Sequence, residues 1–215
     1  MEIISALDPS VPARAASVLA AGGIILYPTD TLYGLGADAL SDEAVDNIYA
    51  IKGRDEKKPM HCIVADMTMA DEYGEVNELA TALAEKFLPG PLTMILKKRG
   101  GIDTGIARGM DTIGVRIPRN EFCTTLVREF GLPFTTTSAN KSGMMPACST
   151  EAILLQLGES VQHIDLVIDA GVLPSRSPST VVDVSSHAVV ILREGALSTQ
   201  EILAALPSQP IPRGL

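Results

Sequence analysis

Cysteine is scarce in this sequence of 215 residues. Cys62, Cys123 and Cys148 are far apart, odd in number and part of no C-x-x-C pair. This spacing argues against a disulfide framework and against a structural zinc site. We therefore expect a reduced, cytoplasmic protein.

Long apolar runs are also missing, since none reaches the roughly 18 residues that a membrane span requires. The first eight residues contain no basic stretch and no long apolar core, so a secretory signal is not expected. With 46% hydrophobic and 20% charged residues, the composition is that of a globular chain. We expect one domain over residues 1–206, followed by a proline-rich tail at 207–215 that is a candidate for a short lid.

Positive charge is in short supply, with a formal net charge of −9 and a pI near 4.8. Sequence-independent binding to nucleic acids depends on neutralising phosphates, so we expect such binding to be weak. The basic residues are nevertheless clustered, at 52–58, 97–99 and 108–119. A locally basic cleft is therefore compatible with the overall acidity, although most of these charges taken singly are typical of a solvated surface.

Helical and extended patterns alternate along the chain. Apolar spacing and capping residues predict helices over 10–21, 41–52, 75–88, 120–130 and 151–157, and a last helix opened by a capping box at Ser198. Short apolar or β-branched runs predict strands over 24–27, 62–65, 93–96, 113–117, 134–137, 166–169, 180–184 and 189–192. This order predicts a single α/β domain with a mixed sheet flanked by helices.

Polar segments interrupt these elements where strands begin or end, which is where α/β proteins usually build their sites. The first, at 27–36, places Asp30, two threonines and two glycines directly after a buried strand. It matches neither a phosphate loop nor a dinucleotide fingerprint. Taken alone, it is equally consistent with an ordinary loop between a strand and a helix, in which Gly34 and Gly36 adopt positive φ.

Two further segments carry positive charge. Lys52, Arg54, Lys57 and Lys58 lie at the end of a predicted helix, where cations are favourable even without a ligand and where they also suit a triphosphate. Arg116 stands inside an apolar strand. Because a buried guanidinium needs a partner, we expect either an anionic ligand or an internal carboxylate beside it.

The remaining segments are rich in hydroxyls. Residues 135–143 combine threonines and serines with Asn140 and Gly143, a composition suited to binding small polar ligands or to an ordinary turn. Residues 177–183 are similar and are followed by an arginine at 193. Each of these segments is a weak signal by itself.

Together, the segments resemble the YrdC family of threonylcarbamoyl-adenylate synthases in order and spacing. The shared motifs are P-T-D-T-L-Y-G-L-G at 28–36, K-x-R at 52–54, P-G-P-L-T at 89–93, V-R-I-P at 115–118, T-S-A-N-x-S-G at 137–143, P-S-T-V-V-D at 178–183 and L-R-x-G at 192–195. The resemblance implies the single-domain form of the family, with a twisted mixed sheet and a concave, locally basic ligand cavity.

The resemblance also implies a reaction, in which L-threonine, bicarbonate or CO₂, and ATP yield threonylcarbamoyl-AMP and pyrophosphate for the t6A modification of tRNA. Mg²⁺ is expected to arrive with ATP and to need no dedicated protein ligands. A separate threonylcarbamoyl-transferase complex is expected to take the adenylate, with at most weak direct binding of tRNA to this chain. No catalytic triad, activated cysteine or metal cluster is evident, which fits catalysis by proximity and charge neutralisation.

Roles for individual residues follow from their positions in the family motifs. The threonine-binding residues are expected to be Thr31, Arg116, Thr136 and Ser179. The ATP-binding residues are expected to be Lys52, Arg54, Lys58, Thr112, Ser138, Asn140, Cys148 and Arg193, and of these Lys52 and Arg54 are expected to stabilise charge on the phosphates during catalysis. No general base is identifiable, and Asp30 is a candidate only because it precedes Thr31.

The sequence departs from the family pattern after the K-x-R motif. Four residues separate Arg54 from Pro59, where many members have the proline at once. Many members also have a histidine four residues after that proline, in contact with threonine, but this chain has Ile63 there. His61 either faces the same side of the strand or is a simple half-buried strand residue. Two alternative functions also remain, an RNA-binding module without catalysis and carbamoyl transfer to another acceptor.

Overall fold

The computed structural model describes residues 1–55 and 58–206. Its strands are β1 (Glu2–Ser5), β2 (Ile25–Pro28), β3 (Tyr33–Gly36), β4 (His61–Ile63), β5 (Gly74–Glu75), β6 (Leu92–Lys98), β7 (Thr112–Arg116), β8 (Phe134–Ser138), β9 (Leu166–Asp169), β10 (Thr180–Asp183) and β11 (Val190–Arg193). Its α-helices are α1 (Val11–Ala20), α2 (Asp42–Lys52), α3 (Met67–Tyr73), α4 (Glu78–Phe87), α5 (Glu121–Phe130), α6 (Thr150–Leu157) and α7 (Thr199–Ala204). The predicted tail at 207–215 lies outside the described residues.

The strands form one mixed sheet in the order β1-β9-β2-β3-β8-β4-β7-β6-β10-β11, with β5 added beside β6. The pairs β1–β9, β9–β2, β4–β7 and β6–β10 are parallel, whereas the other neighbours are antiparallel. The predicted fold class, an α/β domain with a mixed sheet flanked by helices, is confirmed. Within the described residues, no helix is both long and apolar enough to cross a membrane.

Local sequence explains where several helices begin. Ser41, Asn77, Asn120 and Ser149 each accept a hydrogen bond from the backbone N–H three residues ahead, which satisfies one of the free donors of the first turn. Ser198 does the same within the predicted capping box. These side chains fix the residue at which each helix begins, so the loops that precede them have defined geometry.

The two faces of the sheet are packed differently. One face carries the larger apolar core, to which α2, α4, α6 and α7 contribute. The other face carries a smaller core formed by α1, α5 and residues of β2, β4, β8 and β9. Within the described part of the chain, β6, β10 and β11 contribute nothing to this smaller core. Helices α1 and α5 therefore cover only part of this face.

The interpretation of residues 27–36 as an ordinary loop is wrong. Tyr33–Gly36 forms strand β3, which pairs antiparallel with β2 and places Gly34 opposite Tyr27. Neither Gly34 nor Gly36 has positive φ. A Cβ at Gly34 would lie 3.0 Å from Tyr27 Cζ, and one at Gly36 would lie 2.9 Å from Tyr27 Cε1. These two positions are glycine because a side chain there would clash with the buried Tyr27 ring, and not because the backbone adopts a turn.

Other boundaries also differ from the prediction. The helix predicted over 75–88 begins at Glu78, because Asn77 caps it and Gly74–Glu75 pairs with β6. Strand β1 and helix α3 were not predicted. Strand β1 lies at the edge of the sheet with mostly exposed residues, so it lacks the apolar alternation that marks a buried strand.

Candidate functional site

A cavity of about 380 Å³ lies over the part of the sheet face that α1 and α5 do not cover. Its floor is formed by side chains of β4, β6, β7, β8 and β11, among them Thr93 of β6. Loops 29–32, 145–148 and 175–179 form its walls. Arginines and hydroxyls dominate the polar lining, and no carboxylate is among the lining residues that the structure describes.

The loop between β2 and β3 is organised by Thr29. Its Oγ1 accepts hydrogen bonds from the backbone N–H groups of Thr31 and Leu32, both at 3.1 Å, and donates to the Leu32 backbone oxygen at 2.7 Å. This local hydroxyl turn replaces backbone hydrogen bonds and fixes the loop. It holds the Thr31 hydroxyl at the cavity wall, where it is buried.

Arg116 meets this loop from the end of β7. Its Nη2 donates to Asp30 Oδ1 at 2.6 Å and its Nη1 donates to Thr31 Oγ1 at 3.1 Å. The ion pair is buried, with 5% of the Arg116 side chain and 9% of the Asp30 side chain exposed. The internal carboxylate expected for Arg116 is therefore Asp30. Arg116 Nε has no partner among the described residues, although it is buried.

Asp30 is fully engaged by its surroundings. Besides Arg116, its carboxylate accepts a hydrogen bond from the Arg119 backbone N–H at 3.1 Å. Its backbone oxygen accepts from Arg176 Nη1 at 2.6 Å. Both of its carboxylate oxygens therefore already accept hydrogen bonds from the protein, and neither is free to face a substrate. The structure thus argues against Asp30 as a general base.

Besides Arg116 and Arg176, two arginines line the cavity, and neither has a carboxylate within ion-pair distance in the described residues. Arg54 donates to the backbone oxygens of Lys58 and Pro59. Arg193 donates to Ser179, at 2.8 Å to its backbone oxygen and at 3.2 Å to its hydroxyl. Burial lowers the pKa of both guanidinium groups, and for Arg193 the nearby cations lower the pKa further. An anionic ligand would relieve this repulsion.

Lys52 does not line the cavity. Its ammonium is buried behind the wall and donates to the backbone oxygens of Ser138 and Asn140 and, at 3.2 Å, to Asn140 Oδ1. Asn140 Oδ1 also accepts from Ser138 Oγ at 2.5 Å. Lys52 therefore holds the loop that follows β8. Its ammonium does not face the cavity in this arrangement, and its direct contact with a phosphate remains a prediction.

The cavity brings together eight of the twelve predicted site residues. Those that line it are Thr31, Arg54, Arg116, Thr136, Ser138, Cys148, Ser179 and Arg193. Lys52, Lys58, Thr112 and Asn140 do not line it. Lys58 is exposed, and Thr112 lies at the start of β7, at the opposite end of that strand from Arg116. Lys57, which belongs to the same basic segment of the sequence, lies outside the described residues.

His61 and Ile63 also have different surroundings. His61 lines the cavity, opposite Thr136 of β8, whereas Ile63 is buried in the smaller core beside Tyr27 and Phe134. Both side chains lie on one face of β4, as the alternation of a strand requires. Ile63 is not among the lining residues, because α1 and α5 cover that end of the face.

Arg176 and Tyr33 also line the cavity, although no sequence pattern selects them as site residues. Arg176 lies in a loop without a family motif. Tyr33 lies in a motif, but its hydroxyl is used internally, donating to the Gly171 backbone oxygen at 2.8 Å and accepting from the Ala170 N–H at 2.9 Å.

All three cysteines are free. Burial raises the pKa of the Cys62 thiol to about 12, which makes it unreactive.

The buried Lys52 leads to a prediction about stability. Burial, followed by repulsion from Arg54, lowers the pKa of Lys52 from 10.5 to about 7. Above pH 7 the unfolded chain binds a proton that the folded chain has released, so this group makes the fold more stable as the pH rises toward 10. Lys52→Met should lose this dependence and should also cost about 1–3 kcal/mol through its unpaired acceptors. Urea unfolding of both proteins at pH 7 and pH 10 measures the difference, and identical pH slopes would contradict the assignment.

An open mixed sheet with a cationic, hydroxyl-lined cavity on one face defines an α/β protein built to bind a small anionic ligand. The chain belongs to the Sua5/YciO/YrdC family, whose model, described as "Telomere recombination", matches residues 17–195. This confirms the family resemblance found in the sequence motifs.

Three similar proteins illustrate the relationship. A Methanocaldococcus jannaschii protein, provisionally named threonylcarbamoyl-AMP synthase, is 39% identical over 182 residues, which are 84% of each chain. Bacillus subtilis threonylcarbamoyl-AMP synthase is 32% identical over 99% of this chain and 61% of its own length. Pyrococcus abyssi Sua5, solved in complex with L-threonine, is 32% identical with a TM-score of 0.87, over 95% of this chain and 61% of that one. This chain thus spans less than two thirds of the two longer proteins.

Proposed function

We propose that this chain condenses L-threonine, bicarbonate or CO₂, and ATP into threonylcarbamoyl-AMP and pyrophosphate. The observation that carries the proposal is the cavity in which four arginines surround a set of hydroxyls, namely Arg54, Arg116, Arg176 and Arg193. Four cations in one recess of a chain with a net charge of −9 suit a substrate with several negative charges. Relatives named threonylcarbamoyl-AMP synthase over most of this chain support the same reaction.

The threonine carboxylate is assigned to Arg116 and Thr31. Arg116 Nε is buried and without a partner among the described residues, and an unsatisfied buried donor is costly. A carboxylate would accept from it while Asp30 keeps the rest of the guanidinium in place. The hydroxyls of Thr136 and Ser179, which line the same cavity, are assigned to the remaining polar groups of threonine.

The triphosphate is assigned to Arg54, Arg193 and the Ser138 loop. Both arginines donate to backbone oxygens that hold their side chains in the wall. Preorganised donors of this kind stabilise charge that develops on phosphate oxygens as the carbamate attacks the α-phosphate. Lys52 would contribute by fixing the position of Ser138 and Asn140.

Mg²⁺ is proposed to enter as part of the nucleotide. Within the described residues, no group of three histidine, cysteine or acidic side chains is placed to hold a metal ion. Asp30, the carboxylate next to the lining residue Thr31, is occupied by Arg116. The donor set therefore suits an ion held mainly by phosphate oxygens and water.

The product is proposed to pass to a separate threonylcarbamoyl-transferase complex in the cytoplasm for the t6A modification of tRNA. A labile mixed anhydride requires an enzyme that presents an acceptor to it. The net charge of −9 disfavours tight binding of tRNA to this chain. Sub-micromolar tRNA binding at physiological salt would instead favour the RNA-binding alternative.

The proposal is tested by pyrophosphate release from purified protein supplied with ATP, L-threonine and bicarbonate. Release should require all three compounds. Arg54→Ala should lower kcat/KM by about 10²–10³-fold, the loss typical of removing one preorganised donor. Arg14→Ala is the matched control, because Arg14 forms an exposed ion pair with Glu2 away from the cavity. Release that does not depend on threonine, or equal effects of the two substitutions, would refute the proposal.

A further inference from the structure

We propose that His61 is the catalytic base that accepts the proton released when the amine of threonine becomes a carbamate. This inference rests on the proposed function and adds to it a residue for which the motifs assigned no role. It is carried by the position of the imidazole in the cavity and by the absence of another available base among the described lining residues.

The imidazole lies on the cavity floor without a hydrogen-bond partner among the described residues. His61 lines the cavity, and its ring packs over Gly114 of the neighbouring strand β7. A Cβ at Gly114 would come within 2.3 Å of His61 Cδ2, so the missing side chain is what makes room for the ring. The ring nitrogens remain available to a ligand.

The other described lining groups are poor proton acceptors at neutral pH. They include no aspartate, glutamate, lysine or second histidine. The arginines stay protonated, and the Tyr33 hydroxyl is engaged by backbone groups of residues 170 and 171. Cys148 also lines the cavity, but the sulfur of a cysteine is only a weak hydrogen-bond acceptor.

The reaction releases one proton that needs an acceptor. A threonine ammonium and bicarbonate form one N–C bond and yield a carbamate, one water and one proton. His61 takes this proton from the nitrogen, which frees the lone pair that attacks the carbon. In the next step a carbamate oxygen attacks the α-phosphate of ATP and pyrophosphate leaves, with no further proton to remove. A base is therefore needed in the first step only.

The charges around His61 couple this base to the nucleotide. Burial, and then the cations Arg193, Arg54 and Arg116, lower the pKa of His61 to about 4. The neighbouring residues Gly114 and Thr136, on the strands that flank β4, carry no charge. A bound triphosphate compensates the arginines, and one negative charge at about 6 Å raises such a pKa by about 2 at an effective dielectric constant of 20. The base therefore gains proton affinity when the second substrate is present.

The kinetic test compares the forward and reverse reactions of His61→Gln. The forward kcat/KM for threonine at pH 7 should fall by about 10²–10⁴-fold, the usual contribution of a positioned base. The rate of ATP formation from threonylcarbamoyl-AMP and pyrophosphate should be unchanged, because the reverse of the adenylation step needs no proton acceptor. The forward rate of the variant should also rise by about tenfold per pH unit as threonine supplies more free amine. Equal losses in both directions would overturn the proposal.

The control variant is His187→Gln, which changes an exposed histidine and should leave both directions unchanged. If the wild-type protein shows neither the forward nor the reverse reaction, the proposed function fails rather than this inference. If it shows both and His61→Gln slows both alike, only the inference fails.

A measurement on the unmodified protein does not depend on the folding of a variant. The chain has three histidines, so NMR titration of histidine-labelled protein resolves His61 once His163 and His187 are assigned. Inorganic tripolyphosphate should raise the pKa of His61 and leave the two exposed histidines unchanged. An unchanged or lowered pKa for His61 in saturating tripolyphosphate would overturn the coupling and with it the proposal.

Discussion

Arg116→Met is expected to lower the free energy of unfolding by about 3–5 kcal/mol, because it leaves the Asp30 carboxylate buried without its cation. The two side chains are joined at 2.6 Å and are almost fully buried. The same substitution removes the hydrogen bond to Thr31 and loosens the loop that Thr29 organises. We therefore also expect loss of detectable threonine-dependent pyrophosphate release.

The double variant Asp30→Asn/Arg116→Met separates these two effects. Without a carboxylate to leave unpaired, it should recover much of the stability lost in Arg116→Met, since a buried pair can often be replaced at little net cost. Its activity should not recover, because the group that receives the threonine carboxylate is still missing. Urea unfolding and pyrophosphate release on the wild-type, single and double variants complete the cycle. Additive losses of stability would show that the pair is not coupled.

Much of the fold could be predicted from local sequence, and the exceptions have physical causes. Buried apolar strands and capped helices such as the one opened by Ser41 are determined by neighbouring residues, so they appear near their predicted bounds. Strand β3 was missed because Gly34 and Gly36 are typical of turns. Their true role is to accommodate Tyr27, which is a contact across the sheet that local sequence does not reveal.

The sequence predicts which residues belong to the site better than it predicts where their side chains lie. The motifs selected eight residues that share one cavity, because each motif follows or precedes a strand of the same sheet. They did not reveal that Lys52 turns away from the cavity to hold the backbone of Ser138 and Asn140. Nor did they show which part of β4 is covered by α1 and α5. These helices cover Ile63, which lies in the core, and leave His61 in the cavity.

The hydroxyls of the cavity imply a strict choice among amino acids. Thr31, Thr136 and Ser179 line one recess with the apolar side chain of Leu32. Serine lacks one methyl group, so its kcat/KM should be lower than that of threonine by about 10–200-fold. Valine keeps the shape but leaves buried hydroxyls unpaired, so it should be rejected by up to about 10⁴-fold.

Pyrophosphate release with each amino acid at saturating ATP and bicarbonate measures this order. Thr136→Val removes one hydroxyl from the recess and should narrow the gap between threonine and valine, because fewer polar groups are then left unpaired by valine. Thr81→Val is the matched control, since that hydroxyl is exposed on α4 and bonds only its own helix. If the wild-type protein uses valine as well as serine, the cavity does not distinguish the substrate hydroxyl, and the threonine-binding roles of Thr136 and Ser179 are wrong.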